Sequence, residues 1–185
     1  MGFDYALFSF INGFAGGGGR LDWFIIFFAD SLPYILIILL GHLILLRPRG
    51  SLGERIGILA LALGAAAFAR FLITGMIWRL FERPRPFLSH DVNQLLFVDA
   101  PSFPSGHSTF MFAFSTVIYL YDKRLGAVMY AGTVLIVLSR IAASVHYPSD
   151  ILGGALIGAG TGYLAFRYLA KRFERYGRQA DQDRS

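Results

Sequence analysis

The chain has 185 residues, the length of one domain. Hydrophobic residues make up 55% of it and charged residues 16%, which is a membrane protein's composition, so the net charge of +5 is no argument for nucleic acid. There is no cysteine, which excludes disulfides and thiolate metal sites.

In chain order, Phe3 to Ala15 is apolar and aromatic and ends in a glycine run, Gly16 to Gly19. A bilayer takes about 20 residues to cross, so this stretch is too short and reads as a helix lying in the interface. No basic residues precede it, so it does not read as a signal peptide. Leu21 to Leu46 is interrupted by Asp30 and Pro33. It predicts a short segment to Ala29, then a first span from Leu32 with Pro33 in its first turn. Further spans are expected from Ile56 to Leu80, Ser105 to Tyr121, Leu125 to Val145 and Pro148 to Ala170, separated by Arg47-Pro48-Arg49-Gly50, the 81–103 loop, Asp122-Lys123-Arg124 and Val145 to Tyr147. The fold class is therefore all-α: a polytopic transmembrane bundle of about five spans plus an N-terminal interfacial helix. The expected organisation is an interfacial segment over 1–20, a transmembrane domain over 21–170 and a basic tail over 171–185, its last residues disordered.

Arg47, Arg49, Arg55, Lys123, Arg124, Lys171, Arg172, Arg175 and Arg178 all fall on one side of this bundle. By the positive-inside rule that side, with the C-terminus, is cytoplasmic. Arg79, Arg83 and Arg85 lie on the outer side against the rule, as residues held there to bind an anion would. Gly154, Gly158 and Gly162 recur every four residues and predict close helix packing within the bundle. Arg70, deep in the second span, needs a partner in the interior. Asp30 is the first candidate, and a place lining the site without a fixed partner is the alternative.

Three clusters carry the chemistry, all on the outer side. Pro101-Ser102-Phe103-Pro104-Ser105-Gly106-His107-Ser108 opens a span. Ser105 is a good N-cap, and the free N–H groups of Gly106 and His107 at a helix start make an anion site. His107 can transfer a proton near neutral pH. A capped helix with a chance histidine is the bland alternative, and the second cluster weighs against it. That cluster is Ser139-Arg140, five residues, His146, three residues, Asp150. The third is Arg79, Glu82 and Arg83-Pro84-Arg85-Pro86. Arg85 and Arg140 suit phosphate oxygens as planar bidentate donors, with Ser105 and Gly106 adding neutral donors. No spacing of acids and histidines suggests a metal or another cofactor. A metal-free phosphoryl transfer needs a side-chain nucleophile. His146 can serve, with Asp150 accepting from its other ring nitrogen and His107 as general acid.

Together these clusters resemble the type 2 phosphatidic acid phosphatase (PAP2) superfamily, whose pattern is a Lys, six residues, Arg-Pro; then Pro-Ser-Gly-His; then Ser-Arg, five residues, His, three residues, Asp. The second and third parts match throughout. In the first, Trp78 stands at the Lys position, and Arg79 beside it is the candidate substitute. The resemblance implies the same assignment of His146 as nucleophile, Asp150 as its partner and His107 as acid. It also implies a lipid phosphate as substrate. The opening Phe8-Ser9-Phe10-Ile11-Asn12-Gly13-Phe14-Ala15-Gly16, with Leu21-Asp22, Leu32-Pro33-Tyr34 and Arg83-Pro84-Arg85-Pro86-Phe87, resembles the bacitracin-resistance type of undecaprenyl-diphosphatase. Gly106 departs from that type, many members of which carry Asp there. The narrower resemblance implies a bacterial inner-membrane enzyme that releases phosphate from a polyprenyl diphosphate on the outer face. A phosphatidylglycerophosphate or phosphatidate phosphatase is the alternative. A non-enzymatic lipid-phosphate binder or transporter would need only the arginines, not two histidines and an aspartate.

Overall fold

In the computed structural model, residues 2–47 and 51–182 are described, the stretch 171–182 only by its helical course; Arg49 of the charge argument lies outside the described residues. Helix α1 is Phe3–Asn12. α2 runs Arg20–Leu46 and α3 runs Leu52–Leu80. α4 is a single turn, Pro86–Ser89. α5 is Gly106–Tyr121, α6 Lys123–Ala142 and α7 Pro148–Gln182. No strand occurs among the described residues.

Among the described residues, three helices are long and apolar enough to cross a membrane: α2, α3 and α6. The count of five expected from the sequence is thus supported only in part. α5 has 16 residues, about 24 Å of helix, and sits inside the bundle with Phe114, Val117 and Ile118 wholly buried. α3, α6 and α7 pack around it. The expected break near Asp30 does not occur. α2 is continuous from Arg20, and a π turn over Phe27–Ser31 precedes Pro33. The wider i→i+5 turn accommodates a ring that lacks an N–H and would crowd an ordinary α turn. α3 contains a second π turn, Phe68–Ile73, with Arg70 in it. α7 carries its helical course on to Gln182, so no break separates a tail at 171.

The glycine stripe packs inside the bundle. A Cβ on Gly154 would lie 2.7 Å from the Ser105 carbonyl oxygen, and those on Gly158 and Gly162 would meet the Thr109 and Ala113 carbonyls. Bare backbone on α7 thus lets α5 approach closely, the contact that holds helices together in lipid. This pairs the first turn of α5 with the first turn of α7, the turns that carry His107 and Asp150.

At the opposite end, Asp122 caps α6 by accepting from the Arg124 and Leu125 N–H groups, and it pairs with Arg47. At the site end, α1 is docked rather than loose. The Asn12 amide donates to the carbonyls of Asn93 and Ala142, both at 2.8 Å, and accepts from the Asn93 N–H. Asp22 closes the glycine run by accepting from the Gly16 and Gly18 N–H groups, both at positive φ.

Candidate active site

His146 lies in the short connection between α6 and α7 and is 1% exposed. The connection turns sharply at Ser144, whose φ of 66° is the left-handed region. The His146 Nδ1–H is directed at the Ser102 carbonyl, 3.0 Å away. That bond assigns the proton to Nδ1 and leaves Nε2 unprotonated. Burial, reinforced by the charges of Arg140 and Arg85, pushes the imidazole down to about 3 against the opposing pull of Asp150. The ring is therefore neutral at physiological pH, the form a nucleophile needs.

Asp150 is fully buried in the first turn of α7, and its contacts correct the expected triad. Its carboxylate is 3.7 Å from His146 Nδ1, beyond hydrogen-bond range. Oδ2 instead accepts from the Ser102 hydroxyl at 2.6 Å and the Tyr147 N–H at 2.8 Å. Oδ1 accepts from Arg83 at 2.6 Å. Asp150 thus orients the ring through Ser102 and acts on it by charge. Arg83 also pairs with Asp4 of α1 at 2.8 Å and lies over the Tyr147 ring, 4.2 Å from its centroid. Burial lowers the affinity of Arg83 for its proton, but the bond from Asp4 and the charges of Asp150 and Asp4 raise it on balance. Asp4 in turn accepts from the Ser149 N–H and hydroxyl.

Arg85 is 1% exposed and is held by three carbonyls: Ala100 at 2.7 Å, Val145 at 2.6 Å and Pro101 at 3.2 Å. Its Nη1 donates to His146 Nε2 at 3.3 Å, so a guanidinium stands on the ring's lone pair. Burial, then the charge of Arg140, lowers Arg85 to about 10, and it remains cationic. Arg140, 3% exposed at the end of α6, donates to the Ala29 carbonyl within the first π turn at 3.3 Å. Its Nε has no partner.

Ser105 caps α5 as expected, its hydroxyl accepting from the Ser108 N–H at 3.4 Å. The hydroxyl is thereby engaged by the helix, and the Ser105 N–H donates to the Asp150 carbonyl. The N–H groups of Gly106 and His107 begin the helix with no backbone acceptor of their own. His107 is half-buried, lies within electrostatic reach of His146, Arg140, Arg70 and Arg85, and lines a cavity of about 270 Å³ together with Arg70, Gly106 and Tyr34.

Arg79 is not brought to the site. It is exposed and makes no polar contact among the described residues. Its neighbour Trp78 turns inward instead, its indole N–H donating to the Pro104 carbonyl at 3.1 Å. Nor does Asp30 pair with Arg70. Arg70 faces the cavity, stacked on Trp78 with its guanidinium carbon 4.3 Å from the ring centroid. The Asp30 charge acts on Arg140. Reasoning from sequence missed Ser102, Ser149 and Asp4, and gave Arg83 no role at the nucleophile. Ser102 stood inside the quoted motif; Asp4 is distant in sequence and left no signal. Among the described residues, no three of His, Cys, Asp or Glu gather into a group able to hold a metal ion.

The sequence pattern of the PAP2 superfamily matches residues 57–174. Undecaprenyl-diphosphatase BcrC of Bacillus subtilis (strain 168) is 30% identical over 89% of this chain and 83% of its own length. Putative undecaprenyl-diphosphatase YbjG of Escherichia coli (strain K12) is 32% identical over 54% of this chain and 50% of its own. The crystal structure of Aquifex aeolicus LpxE superposes with a TM-score of 0.74 at 30% identity, covering 91% of this chain and 97% of that one. A transmembrane PAP2 type phosphatidylglycerolphosphate phosphatase from Bacillus subtilis shares the fold at 21% identity and a TM-score of 0.63, covering 90% and 86%.

Proposed function

The chain belongs to the PAP2 superfamily, and on that premise we propose that it is an integral-membrane, metal-independent phosphatase of a polyprenyl diphosphate such as undecaprenyl diphosphate. One observation carries the catalytic reading: a buried, neutral histidine whose unprotonated Nε2 accepts from a guanidinium 3.3 Å away, a donor that an incoming phosphate can take over. Arg85, Arg140 and the Gly106 and His107 N–H groups hold the terminal phosphate. His146 Nε2 attacks phosphorus while the bridging P–O bond breaks, and His107 gives its proton to the departing lipid phosphate. The bound phosphate's negative charge lets His107 hold that proton among the surrounding guanidinium groups. Water, deprotonated by His107, then attacks the phosphohistidine and releases inorganic phosphate. The Asp150 charge stabilises the imidazolium while it carries the phosphoryl group.

The relatives named undecaprenyl-diphosphatase support the substrate. The basic connections at the opposite end support an extracytoplasmic site in a bacterial inner membrane and a cytoplasmic C-terminus. We place α5 and α7 across the membrane with α2, α3 and α6, giving five spans, and α1 in the outer interface. A glycerolipid phosphomonoester such as phosphatidylglycerophosphate or phosphatidate would use the same machinery. Phosphate release by purified protein in detergent with EDTA, from undecaprenyl diphosphate and from these glycerolipids, decides between them. The proposal expects kcat/KM highest for the diphosphate. A preference for a glycerolipid would overturn the substrate, and dependence on added Mg²⁺ the metal-free chemistry.

A further inference from the structure

Arg70 is the one arginine near the site whose guanidinium makes neither a hydrogen bond nor an ion pair among the described residues. It sits in the π turn of α3, a helix long and apolar enough to cross a membrane, where an unpaired charge is costly and is kept for function. The surroundings hold it in place. Trp78 stacks on it at 4.3 Å and Phe71 lies at 5.5 Å. Trp78 occupies the position where the motif calls for Lys, so the residue that replaces a cation positions another one. Gly106 completes the arrangement. A Cβ there would collide with Arg70 Nε and lie 2.6 Å from its Cζ, so this guanidinium and a side chain at 106 exclude one another. Arg70 lines the same cavity as His107, alongside apolar Phe110 and Met111.

His107 gives its proton to the leaving oxygen, so the leaving group emerges on its side of the site. The cavity there is cationic at Arg70 and otherwise largely apolar, which suits an anionic head with a hydrocarbon tail. A lipid diphosphate leaves as a lipid monophosphate and fits that description. Phosphatidate leaves as an uncharged diacylglycerol and gives Arg70 nothing to bind, and phosphatidylglycerophosphate leaves with only a phosphodiester, a glycerol unit away from the leaving oxygen. We propose that Arg70, clamped by Trp78 over Gly106, binds the retained lipid-side phosphate and is the residue that selects diphosphates over monophosphates. This rests on the diphosphatase reading above.

The test is calorimetric titration of the full-length protein in detergent with methylenediphosphonate, which has no cleavable bridge, and with inorganic phosphate. The wild type should bind the diphosphonate more tightly. A charge-assisted pair to phosphate is worth roughly ten- to a hundredfold in affinity. Arg70→Met should therefore shrink the diphosphonate-to-phosphate affinity ratio by at least about tenfold, and Arg70→Lys should restore part of it. Gly106→Ala, which displaces the guanidinium without removing it, should shrink the ratio as well and decides the matter if Arg70→Met does not fold. Equal affinities in the wild type, or an unchanged ratio in the variants, overturn the assignment. A wild type that prefers the diphosphonate through Arg70 but releases no phosphate from undecaprenyl diphosphate upholds it and refutes the diphosphatase reading instead.

Discussion

Replacing Asp150 by Asn separates the two services that this carboxylate performs. The shape is kept, but the negative charge 3.7 Å from His146 Nδ1 is removed. At an effective dielectric constant of about 20, that charge is worth roughly 4 kcal/mol to a full imidazolium at this distance. The ring becomes cationic only as Nε2 bonds to phosphorus, so the loss falls on the transition state and intermediate rather than on the resting enzyme. The expected fall in kcat is about a thousandfold, with KM little changed. Stability falls too, because the new amide cannot accept from Arg83, Ser102 and Tyr147 together. Breaking a buried pair of this kind costs about 3–5 kcal/mol. A thermal melt in detergent must therefore accompany the kinetics. Ser102→Ala is the control: it removes the hydroxyl under Asp150 but keeps the carbonyl that fixes the His146 tautomer, so kcat should fall by about tenfold or less. A folded Asp150→Asn protein within tenfold of wild-type kcat would refute the charge argument.

His146→Ala should abolish hydrolysis of both an aryl phosphate and a lipid phosphate, whereas His107→Ala should spare the aryl ester more, since its leaving group needs no proton; steady-state rates on the two substrates check this, and aryl phosphate turnover by folded His146→Ala would point to direct attack by water. Arg79→Ala should keep kcat/KM within about threefold of wild type, because an exposed charge away from the site contributes little, and a loss comparable to that of Arg85→Ala would restore Arg79 to the phosphate site. Orthovanadate, which mimics a phosphoryl group in transfer, should inhibit competitively in the presence of EDTA. The depressed His146 pKa makes stability pH-dependent in a definite sense: the unfolded imidazole, near 6.5, takes up a proton that the folded one refuses down to about 3, so stability is complete above about pH 7 and falls by about 1.4 kcal/mol per unit as pH drops below 6.5. Melts of wild type and His146→Asn at pH 7.5 and 5 should show the wild type losing about 2 kcal/mol more, and a pH-independent difference would mean that folding leaves the ring's proton affinity unchanged.

The all-helical class and the order of the helices, the internal packing of Gly154, Gly158 and Gly162, and the gathering of His107, Arg85, Arg140, His146 and Asp150 at one end were all legible in the sequence. Each follows from hydrophobic length and from which end of a span a residue occupies. What was not legible depends on helical phase. Trp78 is eight residues beyond Arg70, about 80° round an ideal helix, so the two were not expected to meet. The π turn at Phe68–Ile73 absorbs about one residue, which brings Trp78 to within about 20° of Arg70's face and turns Arg79 outward. The same effect at Phe27–Ser31 kept α2 continuous past Pro33, where the sequence suggested a break. The network of Asp4, Arg83 and Ser149 was hidden for another reason. Asp4 and Ser149 are 145 positions apart, and no local pattern marks a side chain that reaches across the fold.

That network answers an electrostatic difficulty in using a histidine nucleophile on an anionic substrate. The carboxylate that must stabilise the imidazolium would also repel the incoming phosphate, and burial at 0% exposure would strengthen that repulsion. Arg83 resolves this by pairing with Asp150 on Oδ1, while Oδ2 stays directed at Ser102 and the His146 ring. Arg83 must itself be held away from the phosphate, which would otherwise attract it. Asp4 and Ser149 hold it there from α1 and α7, and Tyr147 covers its face. The guanidinium groups proposed to hold the anion are treated in the opposite way. Arg140 keeps Nε without a partner among the described residues, and Arg85 is tied to neutral groups, three carbonyls and the His146 ring. No carboxylate competes with the substrate for either of them through a direct ion pair among the described residues. Arg83 therefore offsets the buried acid beside His146, and the N-terminal helix, through Asp4, holds Arg83 in that place.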